Sequence, residues 1–453
     1  MEDYYNVNVL KIDNNTGIFN FSNNWTESEL EVPEPTITPI PPKIYSLGSG
    51  FNLKNVKTLP KIQYDFKDET LNEQRRKSVK DGFLHAWNGY KKHAWGKDEI
   101  LPVSNSSRDN FNGWAASMVE SLDTMWLMGI KDEFKIARDY IDDKVDFSVC
   151  GSEISLFETV IRYLGSLLSA YELSNDKMFL RKAIQLGDSL IPAFKRLKDP
   201  NYRPESSYVV LAQVATLQLE FMKLSQLSGN STYFFKAQAV VDLLDKAVKK
   251  IPGLYPTMIS LGSMSFGGSG DSFYEYLIKD YILVGGSSDQ YKRMYEESIN
   301  GMHKHLIKKG QIKDKNNLLF IGELNAFDTF TNKMGHLDLE VAKGLIESCY
   351  LAYNTSLSGI GPEEFMFPYK TSDDNQPSYD YLSSAIEKKC KTDSAYSGLL
   401  NVNAEKPIKN DNMESFFLAE TLKYLYLLFS PSDLISLDDY NDDGCINSNI
   451  INK

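Results

Sequence analysis

From about Asp65 onward, apolar side chains recur every three or four positions. Val79, Phe83, Trp87, Tyr90 and Ala94 form one such series; Phe157, Ile161, Leu164, Leu168 and Tyr171 form a second; Leu211, Val214, Leu217, Phe221 and Leu224 form a third. A period near 3.6 residues places each series on one face of a helix. No comparable series of alternating strands occurs, and proline and glycine fall mostly between the periodic runs, where helices begin and end. A weaker repeat overlies this pattern. Predicted helices end in a polar turn with an aromatic residue shortly after it: Ser174-Asn175-Asp176 with Phe179, Ser228-Gly229-Asn230 with Tyr233, Ser287-Ser288-Asp289 with Tyr291, and Asp374-Asn375 with Tyr379. The first three aromatics stand about 55 residues apart, the length of a helical hairpin, and the last interval is longer. Residues 60 to 435 have room for roughly seven hairpins of that size. The expected fold is all-α.

Residues 1–57 follow a different pattern. Asn, Ser, Thr and Pro dominate, as in Val32-Pro33-Glu34-Pro35 and Pro39-Ile40-Pro41-Pro42. Such a segment cannot bury enough apolar surface to offset its ordering entropy, so a disordered arm is expected. The whole chain of 453 residues is 42% hydrophobic and 24% charged, an ordinary globular composition. Its formal net charge of −12, with no basic block, argues against a nucleic-acid partner. No apolar run is long enough to cross a membrane, and Met1-Glu2-Asp3-Tyr4-Tyr5 does not open like a secretory signal. Four cysteines without a CxxC pair, and five histidines without HExxH, give little support to a disulfide scaffold or a zinc hydrolase. Asn14, Asn20, Asn24, Asn105, Asn230 and Asn354 each begin an N-x-Ser/Thr sequon, several of which an Asn- and Ser-rich chain produces by chance.

Candidate chemistry lies in carboxylates set among apolar neighbours. Glu158 and Arg162 are four residues apart and share a helix face, which suits either a structural ion pair or a site. Asp271 follows Phe266-Gly267-Gly268-Ser269-Gly270, where it is a natural helix N-cap or part of a loop that a ligand can approach. Glu414 opens the apolar run Phe416 to Phe429, a position the helix dipole favours for an acid. His336, in Gly335-His336-Leu337, reads by default as a hydrogen-bonded structural histidine. Separated carboxylates in an aromatic-rich helical domain suit sugar hydrolysis.

Longer motifs sharpen this reading. Arg75-Arg76, His85-Ala86-Trp87-Asn88-Gly89-Tyr90, Ala94-Trp95-Gly96-Lys97-Asp98-Glu99, Ser121-Leu122-Asp123-Thr124 and Phe157-Glu158-Thr159-Val160-Ile161-Arg162 occur in order. Leu167-Leu168-Ser169-Ala170-Tyr171, Leu219-Glu220-Phe221, Gly270-Asp271-Ser272-Phe273-Tyr274-Glu275-Tyr276-Leu277, His336-Leu337, Gly361-Pro362-Glu363 and Asp411-Asn412-Met413-Glu414-Ser415-Phe416-Phe417 follow. Together, over about residues 70 to 440, they resemble the class I α-1,2-mannosidases of glycoside hydrolase family 47. The resemblance implies an (αα)7 barrel over 58–440, followed by a polar tail, 441–453. It implies an inverting, Ca2+-dependent hydrolase that removes terminal α-1,2-linked mannose from high-mannose N-glycans in the endoplasmic reticulum or Golgi. By the same resemblance, Glu158 is the general acid and Asp271 a second catalytic carboxylate. Arg162, His336, Glu363 and Glu414 line the sugar subsite, with Glu414 beside the calcium. Ser269 stands where the endoplasmic-reticulum enzymes carry a branch-selecting Arg, so the loop is closer to the Golgi type.

The chain departs from the family pattern in three places. The Leu-Arg-Pro-Glu segment that supplies the usual catalytic base is missing after Gly361-Pro362-Glu363, so about one helix near residues 366–376 is expected to be absent. Arg203-Pro204-Glu205 lies too early to replace it. The terminal Thr that binds calcium is replaced by the Asn441-Asp442-Asp443-Gly444-Cys445 stretch. Asp439, Asn441, Asp443, Gly444 and Asn447 there imitate an EF-hand loop, but Ile450 stands where its last carboxylate belongs. Cys349 matches half of a family disulfide whose other half is Leu339 here. These departures leave a second expectation open, a lectin-like relative that binds mannose glycans without turnover.

Overall fold

The computed structural model describes residues 11–12, 19–20, 70–151, 153–195, 209–258, 262–312, 315–327, 329–331, 333–335, 358, 364–366, 385–404, 406–431 and 434–435. Within the N-terminal arm, Lys11–Ile12 (β1) pairs antiparallel with Phe19–Asn20 (β2). Helices dominate the remainder. They are α1 (Thr70–His93), α2 (Ala116–Glu120), α3 (Leu122–Leu127), α4 (Lys131–Lys144), α5 (Leu156–Thr159), α6 (Gly165–Ser174) and α7 (Lys177–Lys195). After these come α8 (Leu211–Ala215), α9 (Gln218–Ser228), α10 (Thr232–Lys246), α11 (Asp271–Leu283), α12 (Asp289–His305) and α13 (Leu422–Leu428). Three π-helical turns join them, Val160–Leu164 between α5 and α6, Ile386–Cys390, and Phe417–Thr421 leading into α13. Among the described residues strands occur only as short antiparallel pairs, including β3 (Glu99–Leu101) with β4 (Ser106–Arg108) and β5 (Ile307–Ile312) with β6 (Lys315–Ile321).

The repeated polar turns have a common mechanism. Asn175 and Gly229 end α6 and α9 in the left-handed conformation, with φ of 56° and 75°. In each, the serine before the turn bonds back one helical turn, Ser174 to Ala170 O at 2.5 Å and Ser228 to Leu224 O at 2.6 Å. The same hydroxyls accept from Asp176 N and Asn230 N, both at 3.2 Å. Orphan backbone groups are thereby satisfied within the turn. The aromatics that follow, Phe179, Tyr233 and Tyr291, are buried anchors of the next helix.

Turns this short force neighbouring helices antiparallel. Helices α3, α6, α9 and α11 touch in succession, and α13 closes onto α3 through its π turn. These are inner helices. Helices α4, α7, α10 and α12 pack behind α3, α6, α9 and α11 respectively, and α1 packs behind α13. Burial follows this division. Residues Gln218 to Gln226 of α9 are buried all round, whereas α12 buries only Tyr291, Met294, Ser298, Gly301 and Met302. Because each inner helix is followed by an antiparallel outer one, the inner helices run parallel and their N-terminal ends collect at one end of the ring.

Two local expectations change. The apolar series Leu211 to Leu224 is not one helix. The backbone leaves helical geometry at Thr216 and Leu217, separating α8 from α9. Thr216 Oγ1 there pairs with Ser272 Oγ at 3.1 Å, and Leu217 N donates to Gln218 Oε1 at 3.0 Å, so side chains replace the helical backbone partners. Asp271 is not an N-cap either. Gly270 holds that place and Asp271 is the first helical residue, its amide donating to Gly267 O at 2.9 Å.

Candidate active site

The N-terminal ends of the inner helices carry Glu120 and Asp123, Glu158, Glu220, Asp271, and Glu414 with Ser415. Helix N-termini favour negative charge, so one end of the ring concentrates carboxylates. Ser155 caps α5, its Oγ accepting from Glu158 N at 3.2 Å, and sets Glu158 in the first turn. The π turn that follows carries Arg162, whose Nε donates to Glu158 Oε2 at 2.7 Å. The predicted pair therefore forms. π turns recur at functional sites because they widen the helix and re-aim its side chains. Here one precedes α6 and another follows Ser415.

Arg162 is deeply held. Its side chain is 12% exposed, against 33% for Glu158. Its Nη1 lies 3.0 Å from Ser415 Oγ and 3.5 Å from Glu120 Oε1. The Phe111 ring lies 4.4 Å from the guanidinium carbon and the Phe416 ring 5.7 Å, distances at which a cation is attracted to an aromatic face. Burial works against the guanidinium charge, but Glu120, Glu158 and Glu99 outweigh it and hold the proton more firmly than usual. Asp98 builds the loop that carries Phe111. Its carboxylate accepts from Phe111 N at 2.7 Å, Gly113 N at 2.8 Å and Ala116 N at 3.2 Å.

Ser415 links this cluster to the end of the chain. Its amide donates to Glu99 Oε1 at 2.9 Å and its hydroxyl to Glu120 Oε1 at 2.7 Å. Glu99 is fully buried on β3 and also accepts from Arg108 Nε at 2.7 Å and Asn110 Nδ2 at 3.0 Å. Arg108 reaches on to Glu414 at 3.8 Å, and Asn412 donates to the other Glu414 oxygen. Four carboxylates thus surround two guanidiniums. Burial, and then the charge of Glu99, hold the Glu414 carboxyl above its ordinary range, while Asn412, Arg108 and Arg162 pull the other way.

A second group surrounds α11. Ser269 has a φ of 76°, in the left-handed region, and its carbonyl accepts from Ala212 N at 2.9 Å. Gly270 cannot take a side chain without crowding Ser265 O, 2.9 Å from where a Cβ would stand. The glycine-rich loop is therefore pinned rather than loose. Deeper in the ring, Tyr276 donates to Glu220 Oε1 at 2.8 Å. Glu220 Oε2 and Asp280 Oδ1 are buried without a hydrogen-bond partner among the described residues. Burial pushes the Glu220 carboxyl up to about 7, only partly offset by Tyr276. It raises Asp280 as well, reinforced by Glu220.

The structure thus brings Glu158, Arg162 and Glu414 into one network and places Asp271 and Ser269 at the start of α11, the inner helix beyond α9. His336 and Glu363 lie outside the described residues, as do Arg203-Pro204-Glu205, Leu339, Cys349 and the C-terminal Asn441-to-Asn447 stretch. Glu99 and Ser415 join the site from family motifs, and Glu120 from the position just before Ser121-Leu122-Asp123-Thr124, where nothing local marked them. Glu220 also carries a signal visible only in three dimensions, a buried carboxyl with a displaced proton affinity. Among the described residues no group of three or more His, Cys, Asp or Glu side chains could hold a metal ion. Glu414, with Asn412 and Arg108 on its oxygens, does not form a calcium cage with them.

The model of the family described as Glycosyl hydrolase family 47 matches residues 82–339 and 379–441. The chain belongs to glycosyl hydrolase family 47. The family match breaks off between residues 339 and 379, an interval that includes the stretch where a helix is expected to be missing. Among its relatives, mannosyl-oligosaccharide 1,2-alpha-mannosidase mans-2 of Caenorhabditis elegans is 36% identical over 85% of this chain and 77% of its own. Mannosyl-oligosaccharide 1,2-alpha-mannosidase IB of Mus musculus is 33% identical, over 81% of this chain and 68% of its own. The endoplasmic reticulum mannosyl-oligosaccharide 1,2-alpha-mannosidase of Homo sapiens is 34% identical, over 81% and 62%. The solved structure of an alpha-1,2-mannosidase from Trichoderma reesei superposes with a TM-score of 0.70 at 30% identity, covering 80% of this chain and 94% of that one. The helical ring is accordingly the (αα)7 barrel of the family, five of whose inner–outer helix pairs lie among the described residues. No described helix is long and apolar enough to cross a membrane.

Proposed function

We propose that this family 47 chain hydrolyses terminal α-1,2-linked mannose of high-mannose N-glycans, with inversion, in the secretory pathway. The observation that carries the reading is the Glu158 carboxyl. It stands partly exposed at the carboxylate-lined end of the ring, with Oε2 held by Arg162 and Oε1 without a hydrogen-bond partner among the described residues. In an inverting mechanism one carboxyl gives its proton to the glycosidic oxygen, while another activates water on the opposite face, about 6.5–9.5 Å away. Glu158 takes the first role. Asp271, at the N-terminus of inner helix α11, is the candidate for the second. Arg162 fixes the Glu158 oxygen it binds, and Phe111 and Phe416 keep water from the guanidinium. When calcium is bound, it supplies a hard cation for sugar hydroxyls and water. The described residues do not assemble its cage, so no step is routed through it.

The interruption of the family match between 339 and 379 favours a second reading, glycan binding without turnover. Incubation of the purified protein with a high-mannose N-glycan and Ca2+ separates the two. Free mannose released with inverted anomeric configuration supports hydrolysis. Saturable binding of the glycan with no release would leave the lectin reading standing.

A further inference from the structure

We infer that Glu120, with Ser415, is a positioning residue for the reaction, because it sets which oxygen of Glu158 the Arg162 guanidinium occupies. The inference rests on the hydrolytic reading of the same site.

Arg162 is pulled from two sides. Nε is bound to Glu158 Oε2 at 2.7 Å, and Nη1 is drawn toward Ser415 Oγ at 3.0 Å and Glu120 Oε1 at 3.5 Å. A guanidinium prefers to fork onto one carboxylate with two parallel N–H bonds. Left with Glu158 alone, it would take both Glu158 oxygens and leave none for a glycosidic oxygen. Glu120 prevents this. It is only 3% exposed, so its charge is little screened, and it cannot turn to water instead. The Ser415 hydroxyl completes the arrangement, donating to Glu120 at 2.7 Å while it receives Arg162. Phe111 and Phe416 lie against the guanidinium, and the direction of its fork is decided by Glu158 on one side and by Ser415 and Glu120 on the other. Glu120 accepts from Ser415 Oγ at 2.7 Å and lies 3.5 Å from Arg162 Nη1. It acts through Arg162.

The test compares wild type with Glu120→Gln, Arg162→Lys and the double variant, with release of mannose from a high-mannose N-glycan as the readout. The expected result for Glu120→Gln is a fall in kcat of about 100-fold, the cost of a misplaced reacting group, with KM within about threefold. Arg162→Lys should cost little further in the Glu120→Gln background, since both act on one contact. Glu120→Asp, which keeps the charge, should recover part of kcat and guards against a folding failure of the glutamine variant. A kcat within about twofold of wild type, or losses that simply add, overturns the inference. Crystal structures of wild type and Glu120→Gln give a readout independent of turnover. The inference expects the guanidinium to rotate onto both Glu158 oxygens, and an unrotated guanidinium overturns it. Should wild type release no mannose, the hydrolytic reading fails by itself, and the rotation still decides the positioning role.

Discussion

Glu220 makes the strongest prediction about stability. Its carboxyl is buried on α9, with one oxygen bonded to Tyr276 and the other unpartnered among the described residues. Burial moves its pKa from 4.5 to about 7. The folded-state value is raised, so the folded chain binds this proton more tightly than the unfolded chain. Stability from this group is therefore fully present below the unfolded value and is lost as pH rises through about 7. Each pKa unit is worth about 1.36 kcal/mol, so the loss comes to about 3 kcal/mol by pH 8. Glu220→Gln keeps an acceptor for Tyr276 and removes the ionisation. Relative to wild type it should gain nothing near pH 4.5 and about 3 kcal/mol at pH 8, if the amide fits as the acid does. Unfolding midpoints in denaturant, measured for both proteins at intervals from pH 5 to 8.5, give the difference directly. The difference should open steadily across this range and level off above about pH 7.5. A constant difference, or one that shrinks as pH rises, would refute the argument. Asp280, raised in the same direction by burial and by Glu220, should give Asp280→Asn the same sign.

Replacing Glu158 by Gln should lower kcat by about 100-fold or more, the usual share of a general acid, while glycan binding by calorimetry persists. Chelation of calcium should abolish mannose release, and added Ca2+ should restore it; undiminished release in a chelator would show that calcium is not required. Lys423 is buried against Asp123 at 3.2 Å, so Lys423→Met, which removes this cation from a buried carboxylate, should cost about 3–5 kcal/mol in chemical denaturation. Ser269→Arg should narrow the products of a multi-branch trimming reaction toward a single isomer. Product mapping that finds one branch removed both before and after the substitution would count against a role for this loop in branch choice.

Much of the fold was legible along the chain because it is made of short-range patterns. The series Val79 to Tyr90 lies along α1, with Ala94 just past its end, and Ser174-Asn175 and Ser228-Gly229 end helices through bonds that span only two to four residues. Glu158 and Arg162 meet for the same reason, since a helix brings residues four apart together. The family motifs then specified which carboxylates to watch. What the pattern could not show was the arrangement of the helices. Inner and outer helices carry similar apolar series, and only packing makes α9 buried all round while α12 keeps a wet face. The break at Thr216 and Leu217 also came from outside, through the Thr216–Ser272 contact between α8 and α11. The site has the same character. Glu99, Glu120, Arg162 and Ser415 are brought together from three distant stretches, with Ser415 binding Glu99 across a sequence separation of 316 residues. Periodicity carries information over a few turns of helix. The gathering of parallel helix N-termini at one end of a closed ring is a property of the whole packed chain, and it is this that turns scattered acids into a site.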